Sequence, residues 1–330
     1  MILYPQTQSF LESVRQCPPP SWQSLPLADA RRRFADMPER YGVGPKEVAT
    51  SDRELSLGCA AGAEHLSGRQ VPVRIYRPPT AERFLRTPGE TSGLRPACLF
   101  FHGGGWVLGD LDSHDAMCRR LAMSSGEVVV SVAYSRAPEA RFPEPIDDCL
   151  AAAIAVAAQG ESLGIHSDEL TLIGDSAGGY LAAQVALATR EIPLISPHRL
   201  VMLYPVISPA CDTESYKQFA EGYGLTRETM TWFWSQFLET ADDSTVAQAD
   251  LLNADVRGLP PTHVVTAGHD VLRDEGLAFV EHLKASGVEV TSRQYDGTIH
   301  AFMHFGGLLR EGVDAIEAVA ELLREQQTPC

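Results

Sequence analysis

From residue 97 onward, short and continuously apolar runs alternate with longer segments of helical period, and that rhythm leaves few folds open. "ACLFF" (97–101), "EVVVSVAY" (127–134), "LTLIG" (170–174), "RLVMLYP" (199–205), "THVVTAG" (262–268) and "VEVTSRQYDG" (288–297) read as strands. Between them His114, Met117, Cys118, Leu121 and Ala122 recur at helical spacing. "PIDDCLAAAIAVAAQG" predicts a helix from Pro145 to a stop at Gly160, and "GLAFVEHLKASG" one that ends on glycine. Leu309, Val313, Ile316, Ala320 and Leu323 mark a last amphipathic helix. Strands apolar on both faces must be covered on both faces. The expectation is an α/β fold: a mostly parallel central sheet flanked by helices.

Two regions break the rhythm. The first 45 residues carry Pro18, Pro19 and Pro20 and a helical-looking "LADARRRFADMPERYG" (27–42). Residues 207–247 carry "LTRETMTWFWSQFL" (225–238) between two sheet strands, with Trp232, Phe233, Trp234 and Phe237 close together. Such an insertion is a lid over a site or an extra packing helix. "TAERFLRTPGETSGLRP" (80–96) reads as a long exposed loop.

Composition narrows the partners. The 330 residues fit one large domain with an accessory element, or two domains. A net charge of −16 argues against nucleic acid or an anionic membrane surface. No apolar run approaches the length of a membrane-spanning helix. "MILYPQTQSF" lacks the basic and apolar regions of a signal peptide, so a cytoplasmic location is expected. The seven cysteines are scattered, with no C-x-x-C pair, and read as reduced thiols. Cys98 sits in an apolar strand as a small core residue, and Cys330 is expected at the surface.

"IGDSAGGY" (173–180) places Ser176 between a strand and a helix, among residues without bulk. Gly174-x-Ser176-x-Gly178 is the nucleophile-elbow spacing. A serine on so sharp a turn exposes its hydroxyl, and side chains two positions away would collide with the crossing strand and helix. A serine capping a helix between packing glycines is the competing reading, and the strand-to-helix context tips the balance to a nucleophile. "FFHGGGWVLG" also follows an apolar strand. It is neither a dinucleotide fingerprint nor a P-loop. Its bare N–H groups suit an oxyanion hole, with Gly103, Gly104 and Ala177 as the expected donors. His102 reads as structural. Trp106 and Asp175 are expected to shape the site.

An elbow serine needs a base and an acid downstream of it. His300, in "YDGTIHAF" just past a strand, is the favoured base. His282 lies inside a helix, and His304 lies one helical turn after His300. Asp270, Asp274 and Glu275 in "TAGHDVLRDEG" are the candidate acids. Asp270 falls at the strand end where open α/β sheets bind ligands, whereas Asp274 and Glu275 fall in the first turn of a helix, which their charge would favour. No metal-ligating motif is present and no cofactor is called for.

These pieces together resemble the hormone-sensitive-lipase-like group of α/β-hydrolases, and within it bacterial acetyl esterases. "HGGGW", "GDSAGG", "YPVIS", "LTRETMTWFW", "LPPTHVVTAGHDVLRDEG" and "DGTIHAF" stand in the family's order. The resemblance implies a triad of Ser176, His300 and Asp270, with no metal and no cofactor. It implies a helical cap from residues 1–45 and 207–247 over a core of 46–206 and 248–330. It further implies a small-molecule ester substrate, short acyl chains, and a monomer or homodimer. Aryl-formamide or amide hydrolysis on the same triad is the alternative. An inactive binding receptor on this fold is less favoured, because such relatives lose the histidine. Tyr180 stands where the family usually has asparagine, and "YSRAPE" where it has "YRLAPE". Tyr180 is expected to add bulk near the pocket, and Arg136 to alter its shape.

Overall fold

The computed structural model describes residues 2–36, 42, 44–79, 94–238 and 242–325. Most of the loop expected over 80–96, and Cys330, lie outside these residues. Eight strands form one sheet: β1 (Ala49–Ser56), β2 (Gln70–Arg77), β3 (Arg95–Phe101), β4 (Val128–Val132), β5 (Ile165–Asp175), β6 (Arg199–Leu203), β7 (Thr262–His269) and β8 (Val290–Ile299). Their order is β1-β2-β4-β3-β5-β6-β7-β8. From β4 to β8 every pairing is parallel, while β1–β2 and β2–β4 are antiparallel. The two antiparallel strands carry no continuous apolar run. β1 is an edge strand, exposed along most of its length, so its composition follows solvent and not the core.

The inner parallel strands are buried on both faces, whereas β8, at the far edge, is largely exposed over residues 290–294. Leu99, Phe101, Val130 and Leu172 join one core cluster, and Cys98, Phe100, Val129 and Ile173 the other. Helices cover both sides: α3 (Asp115–Ser125), α4 (Glu144–Leu163), α5 (Ala177–Thr189), α9 (Arg273–Ala285) and α10 (Arg310–Glu325). Two expected boundaries move. α4 runs through Gly160 and ends at Gly164, whose φ of 67° gives the left-handed cap that a glycine adopts freely. β5 begins at Ile165, earlier than its apolar run.

Register sets where the loops emerge. Phe101 pairs with Gly174 and Asp175 with Leu203, so β3, β5 and β6 end level with one another. His269 pairs with Ile299, so Asp270 and His300 leave the sheet side by side. All these loops open on the carboxyl edge of the sheet, where parallel α/β sheets hold ligands.

Among the described residues, both irregular regions contain helices. α1 (Pro5–Gln16) and α2 (Leu27–Ala35) precede the sheet, and α6 (Glu214–Gln218), α7 (Arg227–Leu238) and α8 (Asp243–Ala249) lie between β6 and β7. α7 buries Met230, Phe233, Trp234 and Phe237, one stripe at helical spacing. Phe237 stacks on Trp106 at 4.3 Å and 5°, and Trp234 lies 4.5 Å from the same indole. Replacing Phe237 by Ala empties the centre of this cluster. It is expected to cost about 3–5 kcal/mol in urea unfolding. A loss under about 1 kcal/mol would mean that α7 merely rests on the loop.

Candidate active site

Ser176 stands at φ 54° and ψ −120°, a conformation an L-residue adopts only under constraint. The constraint comes from both sides. Its N–H donates to the Leu203 carbonyl at 2.8 Å, and α5 begins at the next residue. A Cβ at Gly178 would run into the Phe101 carbonyl, so only glycine lets α5 cross this close to β3. The result is a serine that is 6% exposed at the head of a helix.

The geometry gathers three residues from distant parts of the chain. His300 Nε2 lies 2.9 Å from Ser176 Oγ, and His300 Nδ1 lies 2.7 Å from Asp270 Oδ2. Asp270 Oδ1 accepts the Leu272 N–H at 3.0 Å, which fixes the carboxylate plane. The other candidate acids face elsewhere. Asp274 Oδ2 accepts the Ser215 N–H at 2.8 Å at the start of α6. Glu275 Oε1 accepts the Ile207 N–H at 2.7 Å, and burial pushes its carboxyl well above the usual range. His282 Nε2 lies 2.9 Å from the Ala254 carbonyl, away from the serine.

The glycine loop corrects one expectation. The Gly103 N–H donates to Asp175 Oδ1 at 2.8 Å, so it is committed to a buried carboxylate and is not free for an oxyanion. Among the described residues the Gly104 and Gly105 N–H groups meet no acceptor. The Gly104 carbonyl instead takes the N–H groups of Val107 and Leu108, which closes the loop into a tight turn. Gly105 has φ 61°, and a Cβ there would strike the Phe233 ring of α7. Ala177 is the first residue of α5, where a helix leaves its N–H groups without intrahelical acceptors. Behind the loop, Arg31 Nε donates to the Val107 carbonyl at 2.9 Å, and Arg136 Nη1 donates to the Gly109 carbonyl. Arg136 thus braces the loop and is no free pocket charge.

Trp106 and Asp175, expected to shape the site, and Tyr180, expected to add bulk near the pocket, are all buried and engaged with other parts of the protein. The Trp106 indole is fully buried beneath Phe237, Trp234 and Tyr180, so it holds α7 to the loop. The Tyr180 hydroxyl donates to the Ala249 carbonyl at 2.9 Å and accepts from Gln184 Nε2 at 2.9 Å. It therefore ties α5 to the end of α8. Asp175 is 2% exposed and surrounded by His114, His304 and Gly103. His304 is the residue whose role the sequence reading missed. Its spacing from His300 was visible, but its partner is 129 positions away.

His102 is buried against Tyr134, their rings stacked at 4.2 Å, and its Nδ1–H donates to the Gly103 carbonyl at 3.0 Å. Burial, followed by the neighbouring His114, pushes its pKa down to about 3.

A family model described as alpha/beta hydrolase fold matches residues 98–304. The chain is 37% identical over 306 residues to an ethyl acetate hydrolase of Pseudomonas putida, spanning 92% of this chain and 91% of that one. It is 33% identical over 252 residues to a carboxylesterase of Mycobacterium tuberculosis, spanning 74% and 75%. The crystal structure of a thermostable esterase from Pseudomonas putida matches with a TM-score of 0.88 at 33% identity, over 99% of this chain and 98% of that one.

The depressed His102 pKa gives a pH-dependent stability with a definite sign. In the unfolded chain the imidazole binds a proton below about 6.5. In the folded chain it stays neutral down to about 3. Stability is therefore lost as pH falls from about 6.5, by up to about 1.4 kcal/mol per pH unit for this one group. His102→Asn retains an amide donor for the Gly103 carbonyl and removes the ionisation. Urea unfolding between pH 6 and pH 4, chosen to bracket about two units of that window, should show a shallower slope in the variant. An unchanged slope would assign the acid sensitivity to other groups.

Proposed function

On the premise that the chain belongs to the α/β-hydrolase family, in its hormone-sensitive-lipase-like esterase group, and is a serine carboxylic ester hydrolase, we propose that it cleaves short-chain acyl esters, acetyl to butyryl, through an acyl-enzyme on Ser176. The observation that carries this reading is the unbroken line from Asp270 through His300 to Ser176, with contacts of 2.7 and 2.9 Å. His300 Nε2 takes the Ser176 proton as Oγ attacks the ester carbonyl carbon. Asp270 keeps the second proton on Nδ1 and stabilises the imidazolium. The N–H groups of Gly104, Gly105 and Ala177 receive the negative charge on the former carbonyl oxygen. A donor of this kind contributes about 2.7–4 kcal/mol. The tetrahedral intermediate collapses as His300 protonates the departing alcohol. Water then attacks the acyl carbon with His300 again as base, releasing the acid and restoring the serine hydroxyl.

Two features support the short-chain limit. Phe233 seats on Gly105, so α7 lies directly against the proposed oxyanion loop. Trp106, Phe237, Trp234 and Tyr180 form a packed wall of rings behind that contact. The N-terminal helices join the same roof: the Arg31 guanidinium of α2 grips the loop at the Val107 carbonyl, and Phe34 stacks on His114 at 6.2 Å. In this reading the helices of residues 1–45 and 207–247 are a cap.

The triad assignment is tested by p-nitrophenyl acetate hydrolysis alongside a thermal melt. Ser176→Ala should fold and lose nearly all turnover, keeping only the residual rate that an oxyanion hole sustains. Asp270→Asn should lower kcat by orders of magnitude with KM little changed, whereas Asp274→Asn should cost stability more than rate. The reverse pattern for the two aspartates would move the acid to Asp274. An N-formyl arylamine cleaved faster than the acetyl ester would favour amide hydrolysis.

Chain length tests the closed wall. Each methylene that fits adds up to about 0.8 kcal/mol of transfer energy, while one that does not fit displaces packed rings at about 1–3 kcal/mol. The increment in kcat/KM should therefore change sign between about four and eight acyl carbons, the point at which burial gives way to overpacking. Phe233→Ala should move that reversal to longer chains. A steady rise through decanoyl in the unmodified protein would contradict a closed pocket.

A further inference from the structure

Building on the triad reading, we propose that His304 and His114 are positioning residues that hold the oxyanion loop in register with the serine, His304 through the Asp175 carboxylate and His114 at the Gly103 N–H beside it. Asp175 immediately precedes Ser176 at the end of β5. Its Oδ1 accepts the Gly103 N–H at 2.8 Å and lies 3.2 Å from His114 Nε2. Its Oδ2 lies 3.0 Å from His304 Nε2. One side chain therefore meets the loop after β3, the residue that opens α3, and the turn that follows β8.

A buried carboxylate is costly unless its oxygens are matched by donors. Here the donors are His304 Nε2–H and the Gly103 N–H, and that backbone N–H also faces His114 Nε2 at 3.2 Å. Burial works against the Asp175 charge, but His114 and then His304 outweigh it and hold the carboxyl well below the usual range. Burial also lowers the His304 pKa, which keeps its ring neutral with Nε2–H as the donor. His114 Nδ1–H donates to Ser113 Oγ at 2.9 Å, because that hydroxyl gives its own proton to the Asp110 carbonyl. The two imidazoles brace each other edge to face at 4.4 Å and 88°.

The consequence concerns the neighbours of Gly103. Its N–H is anchored, so the directions of the Gly104 and Gly105 N–H groups are set from that point. His304 sits in the short helix Phe302–Phe305, four residues past the proposed base. The same short segment thus carries His300 to Ser176 and, through Asp175, the loop to the developing oxyanion. Neither His304 nor His114 touches the reacting atoms. Two histidines and a carboxylate are also metal-ligating types. A backbone donor in their midst, with Gly103 N 3.2 Å from His114 Nε2, opposes a cation there and fits the clamp.

The test compares His304→Gln, whose amide N–H can stand in for Nε2–H, with His304→Met, which fills the space without a donor. Each is assayed on p-nitrophenyl acetate and titrated with a trifluoromethyl ketone, whose serine adduct places an oxyanion in the hole. Outright loss of one oxyanion donor costs about 100- to 1,000-fold, so a displaced one should cost at least about 10-fold. The Met variant should lose that factor in kcat with KM within about threefold, and its ketone inhibition constant should rise in parallel. The Gln variant should recover most of both. If the Met variant does not fold, His304→Asn, polar but one methylene too short to reach Oδ2, should show the same loss. Turnover within about twofold of the parent for the donor-free variant, or equal losses for Gln and Met, would overturn the clamp. Labelling of the unmodified protein by a fluorophosphonate separates the two readings. Absence of label on Ser176 sinks the triad itself, whereas a labelled serine beside an active Met variant sinks only the clamp.

Discussion

The structure depends on one close backbone approach. α5 starts against the ends of β3 and β5, with Gly178 in contact with the Phe101 carbonyl. Nothing larger than hydrogen fits between them. That contact forces the turn at Ser176 into a left-handed φ and points the hydroxyl out of the sheet. It also brings the first N–H groups of α5 beside the glycine loop that follows β3. Positive charge at a helix start and bare loop amides then face the same volume. The elbow is therefore a packing solution before it is a chemical one.

The surrounding side chains keep that volume rigid. Asp175 joins the nucleophile strand to the glycine loop and to the histidine turn. Arg31 and Arg136 take carbonyls on the loop's outer side. Trp106, at φ 61°, turns inward to stack on Phe237 and is spent on holding α7. In these interactions a buried polar group or ring fixes the glycine loop against its neighbours. A loop of glycines has no side chains to hold its own shape, so its conformation is set by these outside contacts.

Much of this was legible in the chain. The inner parallel strands were visible because burial on both faces writes itself as continuous Val, Ile, Leu and Phe. α7 was visible because its buried stripe follows the helical period. The elbow was visible because a glycine is demanded on each side of Ser176 at fixed spacing. Strands β1 and β2 were not: β1 is an edge strand exposed along most of its length, and β2, between β1 and β4, alternates buried and exposed residues without a continuous apolar run. The helix end at Gly164 was missed because Gly160 carries the same residue type, and only the φ of 67° distinguishes a cap from a packing glycine. Gly103 was read as an oxyanion donor because adjacent glycines look alike until one N–H is seen bonded to Asp175.

Local order along the chain determined the fold class and the strand-turn-helix elbow at Ser176, because backbone geometry answers to neighbours a few residues away. Which acid faces His300 is another matter. Asp270, Asp274 and Glu275 differ by a few positions and by no composition. The register that pairs His269 with Ile299 decided it, by delivering Asp270 and His300 from adjacent strands. The partners of Trp106, Asp175, Tyr180 and His304 were decided the same way. A side chain's partners depend on which distant residue the sheet order brings beside it. Burial then determines whether its polar atoms face a substrate or another part of the protein.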